Sequence, residues 1–289
     1  MNLFSKKRNF FKSDIYEQIP IPKPGQLYAV PMNNVLWHPK TALTESKVAL
    51  PSWYRDLERN HDAGLRHCSG LIDYLRVGYN LPLWGHLDVR PPLAMGNGFW
   101  DARFDMTHSE PWKAEGLSMD DTSNWPRYLL ESHIAGSQFG ENQTGSQCPV
   151  ATIKKRKKST YIKLSNPWLL RTAPGWSSLI LPQVWDCSAN YRVLSGVVHT
   201  DFYHHANLVI DVITDSEFSI AEGTRMIHIV PFKREEVIKN SKVLRGDENA
   251  WRLLDQLGFD GVFQTSQMDG KYKKEQHKID QQLSSKDNQ

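Results

Sequence analysis

His199, Asp201 and His228 are the side-chain types that hold iron or move protons, and they fall within one stretch of the chain. His199-Thr200-Asp201 is an HxD element. With His228 as a distal ligand it would supply the two-histidine, one-carboxylate face of a non-haem Fe(II), 2-oxoglutarate-type oxygenase, and Arg234 could grip the co-substrate carboxylate. The spacing argues against that use: the distal ligand of such a face comes from a strand several connections away, whereas the interval from His199 to His228 has room for little more than one strand. His204, His205 and His228 with Glu222 form a second set of metal-ligating types. Adjacent residues on a strand point to opposite faces, so His204 and His205 cannot both reach one ion. No cofactor is favoured; Fe(II) or Mg(II) enters only with an enzymatic reading.

The same residues admit acid-base chemistry. A histidine titrates near neutral pH, so His199 could act as a base with Asp201 orienting it. Phe202 would offer a ring to a sugar, and Trp176, Ser177, Arg225 and Arg234 would complete a ligand site. Each also has a plainer account. Asp201 could cap a turn near Gly196 by bonding its own backbone. Arg171, Arg225 and Arg234 could be surface arginines, and Trp168 and Trp176 could pack a core or a subunit interface. Pro174-Gly175 predicts a type II turn, in which glycine takes the positive φ. There is no Gly-rich phosphate loop, no GxSxG and no HExxH.

The elements that must position these residues are mostly strands. WSSLILP, RVLSGVV, NLVIDVIT and RMIHIVPF are β-branched, alternating segments separated by turn residues, the pattern of a sandwich or barrel. ATIKK and STYIKL flank the basic run Lys154–Lys158 and predict a hairpin with a charged tip. Upstream, residues 1–50 carry Pro20, Pro22, Pro24, Pro31 and Pro39, which predicts an extended arm or edge strands. Residues 51–150 form a loop-rich α/β elaboration. It has a short helix entered at Pro51 or Ser52, a second helix at Ser69–Val77, and a strand at Tyr79–Trp84 whose Pro82 demands an edge or a bulge. Residues 91–147 are polar, with short elements between long loops. Residues 241–289 read as a helix at Asn249–Leu257 followed by a charged tail. No clean linker divides the chain, which reads as one compact unit.

Composition narrows the class. The chain has 289 residues, 39% hydrophobic and 23% charged, with a net charge of +3, enough to bury a full core and too mildly basic to indicate nucleic acid. Its basic runs, Lys6–Arg8, Lys154–Lys158 and Lys271–Lys274, are read as solvated turns and tails, with an acidic partner or phosphate as the alternative. Cys68, Cys148 and Cys187 are odd in number and widely spaced, which excludes a CxxC zinc site and argues against a disulfide framework. The first residues lack the apolar run of a secretory leader, and no segment approaches the roughly 18 apolar residues of a membrane span. A cytoplasmic compartment and no membrane partner are expected.

The order of the Pro-Gly-X-Ser turn in APGWSS, the G-V-V-X-T-D-F strand in SGVVHTDFY and the I-X-X-G segment ending at a proline in IAEGTRMIHIVPFKRE resembles the trimeric dUTPase and dCTP deaminase superfamily, whose fold is a β-clip. The resemblance implies a β-clip-like core and nucleotide chemistry. It places the family's general-base aspartate on His199, its sugar-stacking ring on Phe202, its phosphate-binding arginine on Trp176 and its closing glutamine on His228. Those departures remove the catalytic signature while the fold-defining glycines stay, since Trp cannot replace a bidentate, always-charged arginine. Through NPWLLRTAPGWSS, SGVVHTDFY and EGTRMIHIVPFKRE, with the upstream helix and LPLWGHLDV, the chain also resembles over roughly residues 65 to 240 an uncharacterised family of tailed-phage and bacterial proteins. That resemblance carries no activity with it and implies host cytoplasm or virion.

Together these readings predict a mainly β protein, α+β overall, with a β-clip-like or sandwich core at residues 151–240. The expected function is a non-catalytic binding or assembly module of phage type, homo-oligomeric or bound to a viral protein. A nucleotide-acting enzyme with an altered site is the alternative, and the iron oxygenase the second.

Overall fold

The computed structural model describes residues 20–31, 34–48, 50–57, 65–90, 101–105, 160–183, 188–239 and 245–249, with single positions at 252, 278 and 281. The predicted tip at 151–159, the polar stretch 91–147 apart from 101–105, most of the C-terminal helix and tail, and all three basic runs lie outside them. The chain divides into two units, one built from residues up to Glu45 and from Gly78 to Lys239, the other from Ser46–Val77 and from residue 240 onward.

The larger unit is mainly β and antiparallel. One sheet has the order β1 (Leu27–Pro31), β6 (Thr160–Thr172), β10 (His205–Val212), β8 (Tyr191–Val193). A second has the order β2 (Thr44–Glu45), β3 (Tyr79–Pro82), β12 (Arg225–Lys233), β7 (Trp176–Pro182), β9 (Gly196–Val198), and a third pairs β11 (Phe218–Ile220), β4 (His86–Arg90) and β5 (Asp101–Asp105). Alternation builds the core. Leu164, Leu208 and Ile210 from the first sheet, Leu81, Ile180, Ile227 and Ile229 from the second, and Leu87 and Ile220 from the third bury themselves in one apolar cluster. Trp168 joins it fully buried, with Trp37 edge-on at 5.0 Å, so Trp168 is a core residue.

The prolines fall where a missing N–H can be absorbed. The β6–β10 register shifts between His205↔Leu169 and Asn207↔Ser165, so Pro167 sits in an irregularity rather than in the ladder. Pro82 ends β3 at another shift, opposite Arg225, as its sequence context predicts. RVLSGVV, expected as one strand, is two: Tyr191–Val193 pairs with β10 and Gly196–Val198 with β7, the chain changing sheets at Leu194-Ser195. Gly78 has φ 74°, and a Cβ there would stand 2.2 Å from the Ile229 carbonyl oxygen, so only glycine lets the chain pass β12.

The smaller unit is helical where described, with α1 (Ser52–Arg55) and α2 (Ser69–Arg76). Arg66 ties its first turns together by donating from Nη1 to the Leu57 carbonyl at 2.6 Å, while the Tyr54 hydroxyl donates to the Arg66 carbonyl.

Candidate functional site

The three segments singled out in the sequence meet in space, at a turn. Trp176 N donates to the Ala173 carbonyl at 3.0 Å with Gly175 at φ 81°, the type II turn expected of Pro174-Gly175. Two residues from distant segments clasp it. Asp201 Oδ2 accepts from Gly175 N at 3.0 Å, and Arg234 N donates to the Gly175 carbonyl at 3.1 Å. The Arg234 side chain then spans the cluster: Nη1 reaches the Trp176 carbonyl (2.8 Å), Ser177 Oγ (3.0 Å) and Asp201 Oδ1 (2.7 Å), while Nη2 reaches Asp201 Oδ2 (2.7 Å). This is the fork geometry in which a guanidinium and a carboxylate bind most strongly. Burial pushes the Asp201 carboxyl up, but the bonds from Arg234 and Gly175 outweigh it and hold the carboxyl below its usual range.

Beneath the turn runs a chain of buried hydroxyls. Thr172 Oγ1 donates to the Trp176 carbonyl (3.2 Å), which leaves its lone pairs for Thr200 Oγ1 (2.8 Å), which in turn receives Ser178 Oγ (2.9 Å). Each hydroxyl has one proton, so the first donation fixes the direction of the others. The Trp176 carbonyl thus ends two networks, one of hydroxyls and one from Arg234.

His199 stands at the edge of this cluster. Its Nδ1 lies 3.0 Å from Ser177 Oγ, which is fully buried and already accepts from Arg234. The serine proton is left to donate to Nδ1; the reverse arrangement would strand a buried O–H. In the neutral ring this bond selects the tautomer with its proton on Nε2. The ring stacks on Phe202 with centroids 5.5 Å apart and planes 12° from parallel. Both rings line an open groove of about 490 Å³ running from Leu194–Val198 to His205, Asn207 and Val209, with Ile180 and Tyr203. Burial, reinforced by His204, pushes the His205 imidazole down, which keeps it neutral near pH 7.

Several expectations are corrected by this geometry. Asp201 does not orient His199: its carboxylate is gripped by Arg234 and Gly175, and Ser177 holds the imidazole. Arg234 is a structural clamp rather than an anion or co-substrate grip, and Trp176 contributes its carbonyl to that clamp. Arg225 opens β12 while Arg234 follows its end, roughly 30 Å away along the strand, so the two cannot share a ligand. His228 is buried in β12 opposite Leu181 and Asn80, whereas His199 follows Val198 and falls opposite Ser177. Strand geometry separates their backbones by about 16 Å, so the iron face does not form.

The second histidine set disperses as well. His204 is buried with Nδ1 donating to the Leu170 and Thr200 carbonyls, Glu222 pairs with Lys40 at 3.5 Å, and only His205 enters the groove. Among the described residues no group of three His, Cys, Asp or Glu converges. The sequence reading missed the groove itself and the hydroxyl chain. The signals were the alternate positions His205, Asn207 and Val209 on β10, and the hydroxyls of Thr172 and Ser178 at buried strand positions with Thr200 buried in the turn after β9.

The chain is thus a mainly β protein, and among its described residues no helix is long and apolar enough to cross a membrane. No family model matches it and no curated protein matches it.

Proposed function

We propose that this chain is a non-catalytic binding or assembly module of tailed-phage type on a β-clip-like core, acting in the host cytoplasm or the virion as a homo-oligomer or with a viral partner. One observation carries the reading: Asp201 and Arg234, the charged residues of the motif cluster, are spent on each other and on the 173–176 turn. What faces outward is an apolar groove with Leu194, Val197, Phe202 and Tyr203 exposed in its lining, the kind of surface that meets a partner. Incubating the purified protein with dUTP, dCTP and dTTP tests this, with chromatographic detection of products and thermal denaturation in parallel. No turnover is expected; hydrolysis or deamination of any of them overturns the reading.

A second reading has its own support. His199 stacks on Phe202, a ring that would contact a sugar in a nucleotide-acting enzyme with an altered site; held by Ser177 with its proton on Nε2, it would serve there as a proton donor rather than as the expected base. Turnover abolished by His199→Ala would establish it.

A further inference from the structure

We infer that the groove between β9 and β10 docks an uncharged, proline-rich segment of a partner protein in the polyproline II conformation. The inference rests on the reading of the chain as a binding module. Four rings line the groove, His199, Phe202, Tyr203 and His205, in two pairs: His199 stacked on Phe202, and Tyr203 against His205 at 6.3 Å. Among the described residues no Asp, Glu, Lys or Arg lines it, and burial keeps His205 neutral. A charged occupant would lose its hydration there without gaining a counter-charge. The complementary occupant is uncharged and presents flat, saturated faces to the rings, as prolyl rings do in aromatic-lined grooves.

The hydrogen-bond complement points the same way. A polyproline II segment makes no internal bonds, and its prolines have no N–H, so it offers carbonyl acceptors and few donors. The groove meets it with a donor: the Arg234, Ser177 and His199 relay leaves the proton on His199 Nε2. A β-strand partner or a second copy adding to the sheet fits less well. The β9 edge is three residues long, and its Val198 carbonyl already accepts from Thr200 N at 2.9 Å.

Titration calorimetry on the full-length protein tests the inference, with an acetylated deca-proline peptide as probe and a Gly-Ser peptide of equal length as control. Saturable binding of deca-proline alone is expected. Phe202→Ala, at a position 64% exposed, should weaken it roughly tenfold, the size of one lost aromatic contact, without unfolding the protein. Ile21→Ala, 60% exposed and outside the groove, should leave it unchanged. Equal binding of both peptides, or equal weakening by the two variants, overturns the inference. Binding of maltotriose in place of deca-proline, sensitive to Phe202→Ala, overturns the peptide assignment and keeps the binding-module reading. Concentration-dependent dimerisation abolished by Phe202→Ala makes the occupant a second copy and likewise overturns the peptide assignment alone. Turnover of a nucleotide at the groove overturns both.

Discussion

Arg234 and Asp201, 33 positions apart, hold each other through two parallel bonds of 2.7 Å, and neither lines the groove beside them. The pair joins the end of β12 to the loop after β9, with the Gly175 turn caught between. Removing one partner strands the other in a partly buried site.

Arg234→Ala and Asp201→Ala should therefore each lower stability by about 1.5–3 kcal/mol, the range for hydrogen bonds to charged groups. Arg234→Lys should rescue little, because an ammonium cannot fork across both carboxylate oxygens. Urea denaturation of the two single variants and the double variant checks this: the double should cost clearly less than the sum, since the second removal takes away a group already stranded.

The same pair sets an acid limit. Folding lowers the Asp201 pKa below its unfolded value of about 3.9, so its contribution is fully present above that pH and is lost as pH falls through the lower, folded value. Wild-type stability should fall more steeply between pH 5 and pH 2.5 than that of Asp201→Asn, which has no proton to take up (roughly one pKa unit either side of the unfolded value). Parallel slopes would remove the carboxylate from the account.

Gly78 and Gly196 should respond oppositely to alanine. At Gly78 a Cβ meets the Ile229 carbonyl and φ is positive, so Gly78→Ala should cost about 2–4 kcal/mol from left-handed strain and overpacking. Gly196 has open space and no positive φ, and its change should stay within about 0.5 kcal/mol. Thermal denaturation of both proteins makes the comparison.

The hydroxyl chain should show direction. Thr200→Val removes an acceptor that buried Ser178 needs and the donor to Thr172, and should cost about 1–3 kcal/mol. Ser178→Ala removes a residue that only donates into the chain, and should cost less. Equal losses would mean that the protons do not run one way.

The local features were legible in the sequence because each depends on a few neighbouring residues. Pro174-Gly175 specifies its turn by φ alone, Pro82 its register shift by a missing N–H, and the alternating segments their strands by burying every second residue. Partnerships across strands were not. That Asp201 meets Arg234 rather than His199 depends on where the chain leaves β9 and where β12 ends, and a register is a long-range property that no short motif contains. His228 illustrates the gap: its residue type invited a ligand role, and its position four pairs along β7 from the His199 level removes it. The split of RVLSGVV into two strands was hidden because both halves alternate equally well, and the switch that makes the groove falls between them.

Trp176 enters both networks of the clamp through its backbone oxygen, receiving Thr172 and Arg234 there. Every amino acid carries that oxygen. The turn's shape is accordingly insulated from the identity of the side chain mounted on it, and position 176 is a socket in which an arginine, a tryptophan or another group could be exchanged without dismantling the frame. A protein organised this way can trade one surface chemistry for another by single substitutions.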